Sequence, residues 1–428
     1  MSNKYGFNTL ALHAGAEIDE TNSRGLPLHR TSSYVFNSTT HAADLFALKE
    51  LGNIYTRLMN PTHGVLEERM AALDGGAAAL AVASGTAATF YAVINICGHG
   101  DEVVSANNLY GGTYTMFDSI LPELGIKTKF ENPLDPDNFE KVINEHTKML
   151  FTEVIGNPVL DVANIGAISE VAHRHHIPLV VDSTFNTPYL FRPLEHGADV
   201  VIHSLTKWLG GHGTGIGGIV VDSGKFDWTD RKFRLYNEPD ASYHGLRFAH
   251  DLGDLNPLAF IMRMRLVPLR NLGACISPDN AWMFLQGIET LPLRMQRHCD
   301  NAMEIALYLT DHPAVKWVRY PGLEQDPAYE MASRQFENGF GGMVVFGIKG
   351  GREAGETFIN NLALISHLAN VGDAKTLAIH PASTTHSQLS EDQQLEGGIT
   401  PDLIRLSVGI ESVEDIHGDI GQALDKTK

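Results

Sequence analysis

From Gly64 onward, apolar residues recur at helical spacing: Val65, Leu66, Met70 and Leu73 share one face, and Asp74-Gly75-Gly76 closes the pattern. Short apolar runs bounded by turn residues follow at 79–84, 102–105, 149–154, 179–182 and 200–203, with helix-like stretches between them at 86–96, 135–145 and 165–175. Strands this short, and apolar on both sides, predict an α/β fold whose mainly parallel central sheet is covered by helices on both faces. Residues 1–60 are polar, turn-rich and without a sustained period, and read as an extended arm rather than a core element. A helical pattern resumes at Trp282. Beyond it, strands at 343–348 and 404–408 mix with helices at 354–362 and 413–424, where Val413, Ile416, Ile420 and Leu424 form one stripe. The predicted division is an arm (1–60), a large unit (61–281) and a smaller α+β unit (282–428).

Composition narrows the function classes. The 428 residues carry a formal net charge of −19 with 43% apolar and 19% charged residues. That is ordinary for a globular chain, but its field repels phosphate backbones and anionic lipid, so neither nucleic acid nor a membrane surface is an expected partner. The three cysteines, Cys97, Cys275 and Cys299, lie far apart and build neither a disulfide framework nor a CxxC metal motif, as expected of a reducing cytosol. The first twenty residues lack a basic segment followed by an apolar one, and no apolar run reaches the ~18 residues of a membrane span. A cytoplasmic protein is expected.

The informative stretch runs from Leu179 to Gly218. One predicted strand ends in Asp182; the next ends at His203-Ser204, and Lys207 follows within a turn. In an open parallel sheet, ligands sit at the carboxyl ends of strands, so a carboxylate and an amine meet on one rim. Pyridoxal phosphate (PLP) requires both: a lysine for its Schiff base and an acid that keeps the pyridine nitrogen protonated. Ser84-Gly85-Thr86 lies where a strand turns into a helix, a place suited to a phosphate because unpaired N–H groups point outward there and Gly85 permits close approach. An N-cap by Ser84 or Thr86 is compatible with that role.

SLTKWLGG around Lys207, VVDSTF around Asp182, YTRLMNPT at 55–62, ASGTAA at 83–88 and LIRLSVGIE at 403–411 together resemble the Cys/Met-metabolism family of fold-type-I PLP-dependent transferases, over essentially the whole chain. The resemblance implies that Lys207 holds the cofactor and moves protons, and that Asp182 pairs with the pyridinium nitrogen, with Thr184 nearby. It implies that Tyr110 stacks on the ring, and that Ser84, Gly85, Thr86, Ser204 and Thr206 bind the phosphate. Tyr55 and Arg57 would reach the site of a neighbouring subunit, with Tyr55 also near substrate, so a homodimer is the smallest complete unit and a tetramer the expected form. Asn157 would contact cofactor or substrate, and Arg405 would clamp the substrate α-carboxylate, a bidentate task suited to guanidinium.

Within the family, GGHGTGIGG after the lysine, the long region 226–271, and the stretches 277–298 and 364–389 are similar to O-acetylhomoserine sulfhydrylases. The implied reaction joins O-acetyl-L-homoserine and sulfide to give L-homocysteine and acetate, with methanethiol as an alternative thiol. Cystathionine γ-synthase and methionine γ-lyase are the rival activities, and Gly112, where the lyases commonly carry Cys, counts against the second. Ser183 stands where the family usually has Asn, and Gly215 where Thr or Ser is common. Two letter matches carry no function. The GxGxxG at 213–218 leads into an apolar run instead of opening a helix, and His173-Arg174-His175-His176 closes a predicted helix, where cations complement the dipole. No metal is expected.

Overall fold

A computed structural model describes residues 4–384 and 398–427. The last five residues of the 364–389 stretch therefore lie outside the described residues. Seven strands form the first sheet: β1 (Ala78–Val82), β2 (Glu102–Ala106), β3 (Lys127–Glu131), β4 (Thr147–Glu153), β5 (Leu179–Asp182), β6 (Val200–Ser204) and β7 (Gly218–Asp222). Their order is β1-β7-β6-β5-β4-β2-β3, and β7 alone runs against its neighbours. The mainly parallel sheet is thus as the apolar runs predict. Edge strand β3, KTKFE, was hidden because its residues are polar and only partly buried. Strand β1 ends at Val82 and not at Ser84, because Ser84 caps the following helix, Gly85–Ile96, by accepting the Ala87 N–H at 3.0 Å.

Five strands form the second sheet: β8 (Val315–Arg319), β9 (Met343–Ile348), β10 (Ser366–His367), β11 (Leu377–Ile379) and β12 (Leu403–Ser407), in the order β10-β11-β12-β9-β8. The helix Val413–Leu424 covers it with Ile416, Ile420 and Leu424 buried, the stripe read from the sequence.

Three expectations need correction. The helix before β1 starts at Pro61 rather than Gly64: Asn60 caps it by accepting the Thr62 N–H at 2.9 Å, and Pro61 fits the first turn, where no N–H is needed. The first sixty residues are not wholly an extended arm. They contain helices Phe7–His13 and Thr39–Phe46, and Leu10, Ala11 and Ala14 join the larger core. Buried Arg69 fastens this segment by donating to the Ala14 carbonyl at 3.0 Å. Finally, the helix expected from Trp282 begins at Pro278, capped by Ser277, so residue 281 lies inside it; Ala281, Phe284, Leu285 and Ile288 belong to the larger core. The next helix, Leu291–Asp311, spans both cores. Leu291, Met295 and Cys299 pack into the larger one, and Ala302, Ile305, Ala306 and Leu309 into the smaller.

The N-terminus of the 85–96 helix is pressed onto the sheet. A Cβ at Gly218 would lie 2.1 Å from the Ser84 carbonyl oxygen, and one at Gly85 would lie 2.7 Å from the Ser204 Cβ. Backbone cannot yield as a side-chain tip can, so Gly218→Ala is expected to cost about 3 kcal/mol of stability. Urea denaturation reads this as a lower midpoint with an unchanged slope.

Candidate functional site

Asp182 is the last residue of β5, Ser204 the last of its parallel neighbour β6, and Lys207 follows in the turn. Thr184 locks the two strand ends together. Its N–H donates to Asp182 Oδ1 at 2.9 Å, and its Oγ1 accepts the Ser204 N–H at 2.9 Å. Thr206 Oγ1 accepts the Gly217 N–H at 3.1 Å, tying the lysine turn to the start of β7. Opposite lies the helix N-terminus of Ser84, Gly85 and Thr86, with Thr86 exposed. Gly85 abuts Ser204 closely enough that any side chain there would fill the space between them.

Lys207 Nζ donates to Asn370 Oδ1. Burial, then the nearby Arg405 charge, lower its pKa to about 8, so the amine gives up its proton far more readily than an ordinary lysine. Asn370 arrives from between β10 and β11, and the same loop brings Gly372 against the lysine turn, where a Cβ would meet the Trp208 backbone nitrogen at 2.5 Å. Arg405, in β12, donates from Nη1 to Asn157 Oδ1 at 3.1 Å. Burial lowers the pKa of this guanidinium to about 10, with Tyr110 opposing the shift, and among the described residues no carboxylate pairs with it. Such a cation, with N–H groups to spare, is built to receive an anion.

Asp182 and Glu153 end adjacent strands in register. Burial raises the pKa of both. Thr184 and His203 pull Asp182 back down, whereas the Asp182 charge pushes Glu153 up further. Of the two, Glu153 is held further toward its protonated form, and Asp182 keeps the partners that favour its charge. Glu153 Oε1 also accepts the Tyr110 N–H at 2.7 Å, which fixes the backbone beneath the half-exposed Tyr110 ring.

The structure brings Lys207, Asp182, Thr184, Ser204, Thr206, Ser84, Gly85, Asn157, Tyr110 and Arg405 into one connected region. Tyr55 and Arg57 do not bond to it. Tyr55 is exposed and Arg57 half-buried, with the Arg57 guanidinium 5.2 Å from the Tyr55 ring centre. Sequence reasoning missed Glu153 and Asn370. Glu153 ends a predicted strand, as Asp182 does, and the strand-end rule could have found it; Asn370 has no local signal. A lowered-pKa amine, a buried carboxylate one strand away and a glycine-lined helix N-terminus fit an anionic aldehyde with a basic ring nitrogen, so PLP suits the residues present.

The histidine-rich stretch set aside on sequence lies elsewhere. His173 pairs with Asp199 at 2.9 Å, and Arg174 and His175 both pair with Glu140. Among the described residues no group of three or more His, Cys, Asp or Glu side chains is placed to hold a metal, and no helix is long and apolar enough to cross a membrane. A cavity of about 490 Å³ opens beside His173, Asp199 and Lys225 at the opposite ends of β5 and β6.

The family model described as Cys/Met metabolism PLP-dependent enzyme matches residues 8–425. The chain is 54% identical over 423 residues to the O-acetyl-L-homoserine sulfhydrylase of Leptospira meyeri, covering 97% of this chain and 96% of that one. It is 50% identical to the homocysteine synthase of Schizosaccharomyces pombe, with 98% of each covered. Among solved structures, the metY product of Campylobacter jejuni, which contains N'-pyridoxyl-lysine-5'-monophosphate, superposes with a TM-score of 0.95 at 40% identity, over 98% of this chain and 100% of that one. The metB product of Corynebacterium glutamicum gives 0.86 at 32% identity, with all of both chains covered.

Proposed function

Because the chain belongs to the Cys/Met metabolism family of PLP-dependent enzymes, we propose that it converts O-acetyl-L-homoserine and sulfide to L-homocysteine and acetate. The observation that carries this reading is the meeting of Lys207, Asp182 and Arg405 at one site, in a chain 54% identical over 423 residues to an O-acetyl-L-homoserine sulfhydrylase and 50% identical to a homocysteine synthase. When bound, PLP supplies the electron sink that makes the substrate Cα proton removable.

The protein's own groups do the rest. Lys207 Nζ holds the cofactor and carries the proton taken from the substrate. Asp182 bonds the ring nitrogen and keeps it protonated. Ser84, Gly85, Thr86, Ser204 and Thr206 receive the phosphate, Tyr110 covers the ring, and Asn157 holds Arg405 in line for the substrate carboxylate. Tyr55 and Arg57 complete the site of a second copy, so the working unit is at least a dimer, and a tetramer in the cytoplasm is the expected form. The large unit (61–281) and the smaller unit (282–428) are joined by the helix Leu291–Asp311, whose residues enter both cores.

Attack on the cofactor aldehyde needs a neutral amine. The rate at which cofactor-free protein takes up PLP should therefore rise with pH through a midpoint near 8 and level off above it, as followed by absorbance. The assay that tests the function supplies O-acetyl-L-homoserine with sulfide, with methanethiol, with cysteine, or with no thiol. Homocysteine from sulfide, and methionine from methanethiol, are expected; preferential release of cystathionine or of a keto acid with ammonia would assign the chain to its synthase or lyase relatives instead.

A further inference from the structure

The strand that leads to Lys207 carries a fully buried histidine that the reaction above does not use. His203 Nδ1 stands 3.1 Å from the Ser183 carbonyl oxygen, and Nε2 stands 2.9 and 3.2 Å from the two carboxyl oxygens of Asp74. A carbonyl oxygen only accepts, so Nδ1 bears a hydrogen. Nε2 faces both oxygens of one carboxyl group, the arrangement of a donor shared by a carboxylate, and imidazole is ordinarily the more basic partner by about 2.6 pKa units. Neither side chain has any exposed surface. Asp74 is also the last residue of the Pro61–Asp74 helix, whose negative dipole end favours a cation. Burial opposes the charge on His203, but the Asp74 charge and hydrogen bond, then Asp182 and the Ser183 carbonyl, outweigh it and raise its pKa.

We propose that His203 is a buried imidazolium, clamped between Asp74 and Ser183, that acts as a positioning residue by keeping Asp182 ionised for the cofactor ring nitrogen. The charged and titratable groups around it are Asp74 from the helix, Asp182 from β5 and, behind Asp182, Glu153 from β4. An imidazolium here offsets the negative field of Asp74 and Asp182, while burial and the Asp182 charge hold Glu153 toward its protonated form. Without the imidazolium, Asp182 faces Glu153 in a low-dielectric interior with only Thr184 to stabilise its charge, and a proton moves onto it. A neutral Asp182 no longer favours a protonated ring.

This inference rests on the assignment of Asp182 to the cofactor, and its test has two parts that fail separately. In holoenzyme labelled with ¹⁵N-histidine, the His203 signal is identified by its loss in His203→Gln. Both ring nitrogens are expected to remain protonated at pH 8, where exposed histidines are neutral; a neutral-ring signal for His203 overturns the proposal whatever Asp182 holds. The second part measures PLP affinity of cofactor-free wild-type, His203→Gln and Asp74→Asn proteins. Gln keeps the donors without the charge. His203→Gln is expected to bind PLP about tenfold more weakly at pH 7, recovering relative to wild type as rising pH re-ionises Asp182. Asp74→Asn is expected to shift in the same direction. A loss independent of pH, or none, refutes the coupling, and if His203→Gln fails to fold, Asp74→Asn carries this part. Wild-type protein that ignored PLP would instead sink the reading of the site itself.

Discussion

Lys207→Ala protein is expected to lose turnover by at least about four orders of magnitude while still folding, because one amine both holds the cofactor and moves the proton. The side chain is a thermodynamic burden to the fold. Its pKa of about 8 lies below the ordinary lysine value, so at pH 7 the folded protein bears a proton on a site that disfavours it. The sign follows from linkage. A lysine with a depressed pKa opposes folding below that pKa, and the penalty fades as pH rises from about 8 toward the unfolded value. Cofactor-free Lys207→Ala protein should therefore melt at or above the wild-type temperature at pH 7, and the gap should close at higher pH. Thermal scans of both proteins across pH check the stability, and absorbance after PLP addition, dialysis and borohydride reduction checks for the missing covalent attachment. Full activity in this variant would remove the proposed chemistry altogether.

Arg405→Lys is expected to lower kcat/KM for O-acetyl-L-homoserine by about two orders of magnitude, near 3 kcal/mol, chiefly through KM. Charge survives in this variant. What is lost is the planar fork, and with it the chance to hold Asn157 by one N–H while presenting others to a carboxylate. The arginine is half-buried without a carboxylate partner among the described residues, so the substrate anion would supply the missing counter-charge. The diagnostic comparison uses 3-aminopropyl acetate, which is the substrate without its carboxylate. Wild-type enzyme should discriminate strongly against it, and Arg405→Lys much less so. Equal discrimination by both proteins would show that the carboxylate is bound elsewhere.

Much of this was legible in one dimension because parallel strands announce themselves. Buried on both faces, β5 and β6 are largely apolar runs and β4 carries one at its centre, so their carboxyl ends, and with them Asp182, Ser204 and Lys207, can be placed on one rim from the sequence. Strand β3 escaped because an edge strand keeps its polar residues. The helix Phe7–His13 escaped because a single seven-residue helix has too few turns for a period to show, although Leu10 and Ala11 are buried in the larger core.

Sequence alone determined the buried parallel strands of the sheet, the lysine turn and the class of chemistry, since each is written in neighbouring residues: strand period, cap, and a motif whose groups lie within one strand–crossover–strand unit. Only the tertiary structure decided the partners of those groups. Asn370 reaches Lys207 from 163 positions away, Asn157 reaches Arg405 from 248, and Asp74 reaches His203 from 129. The physical reason is that charge in a protein is set by what surrounds it in space. A lysine near 8, a pair of carboxyl groups raised by burial and a buried imidazolium arise where distant segments exclude water together, and no local pattern of residues encodes that meeting.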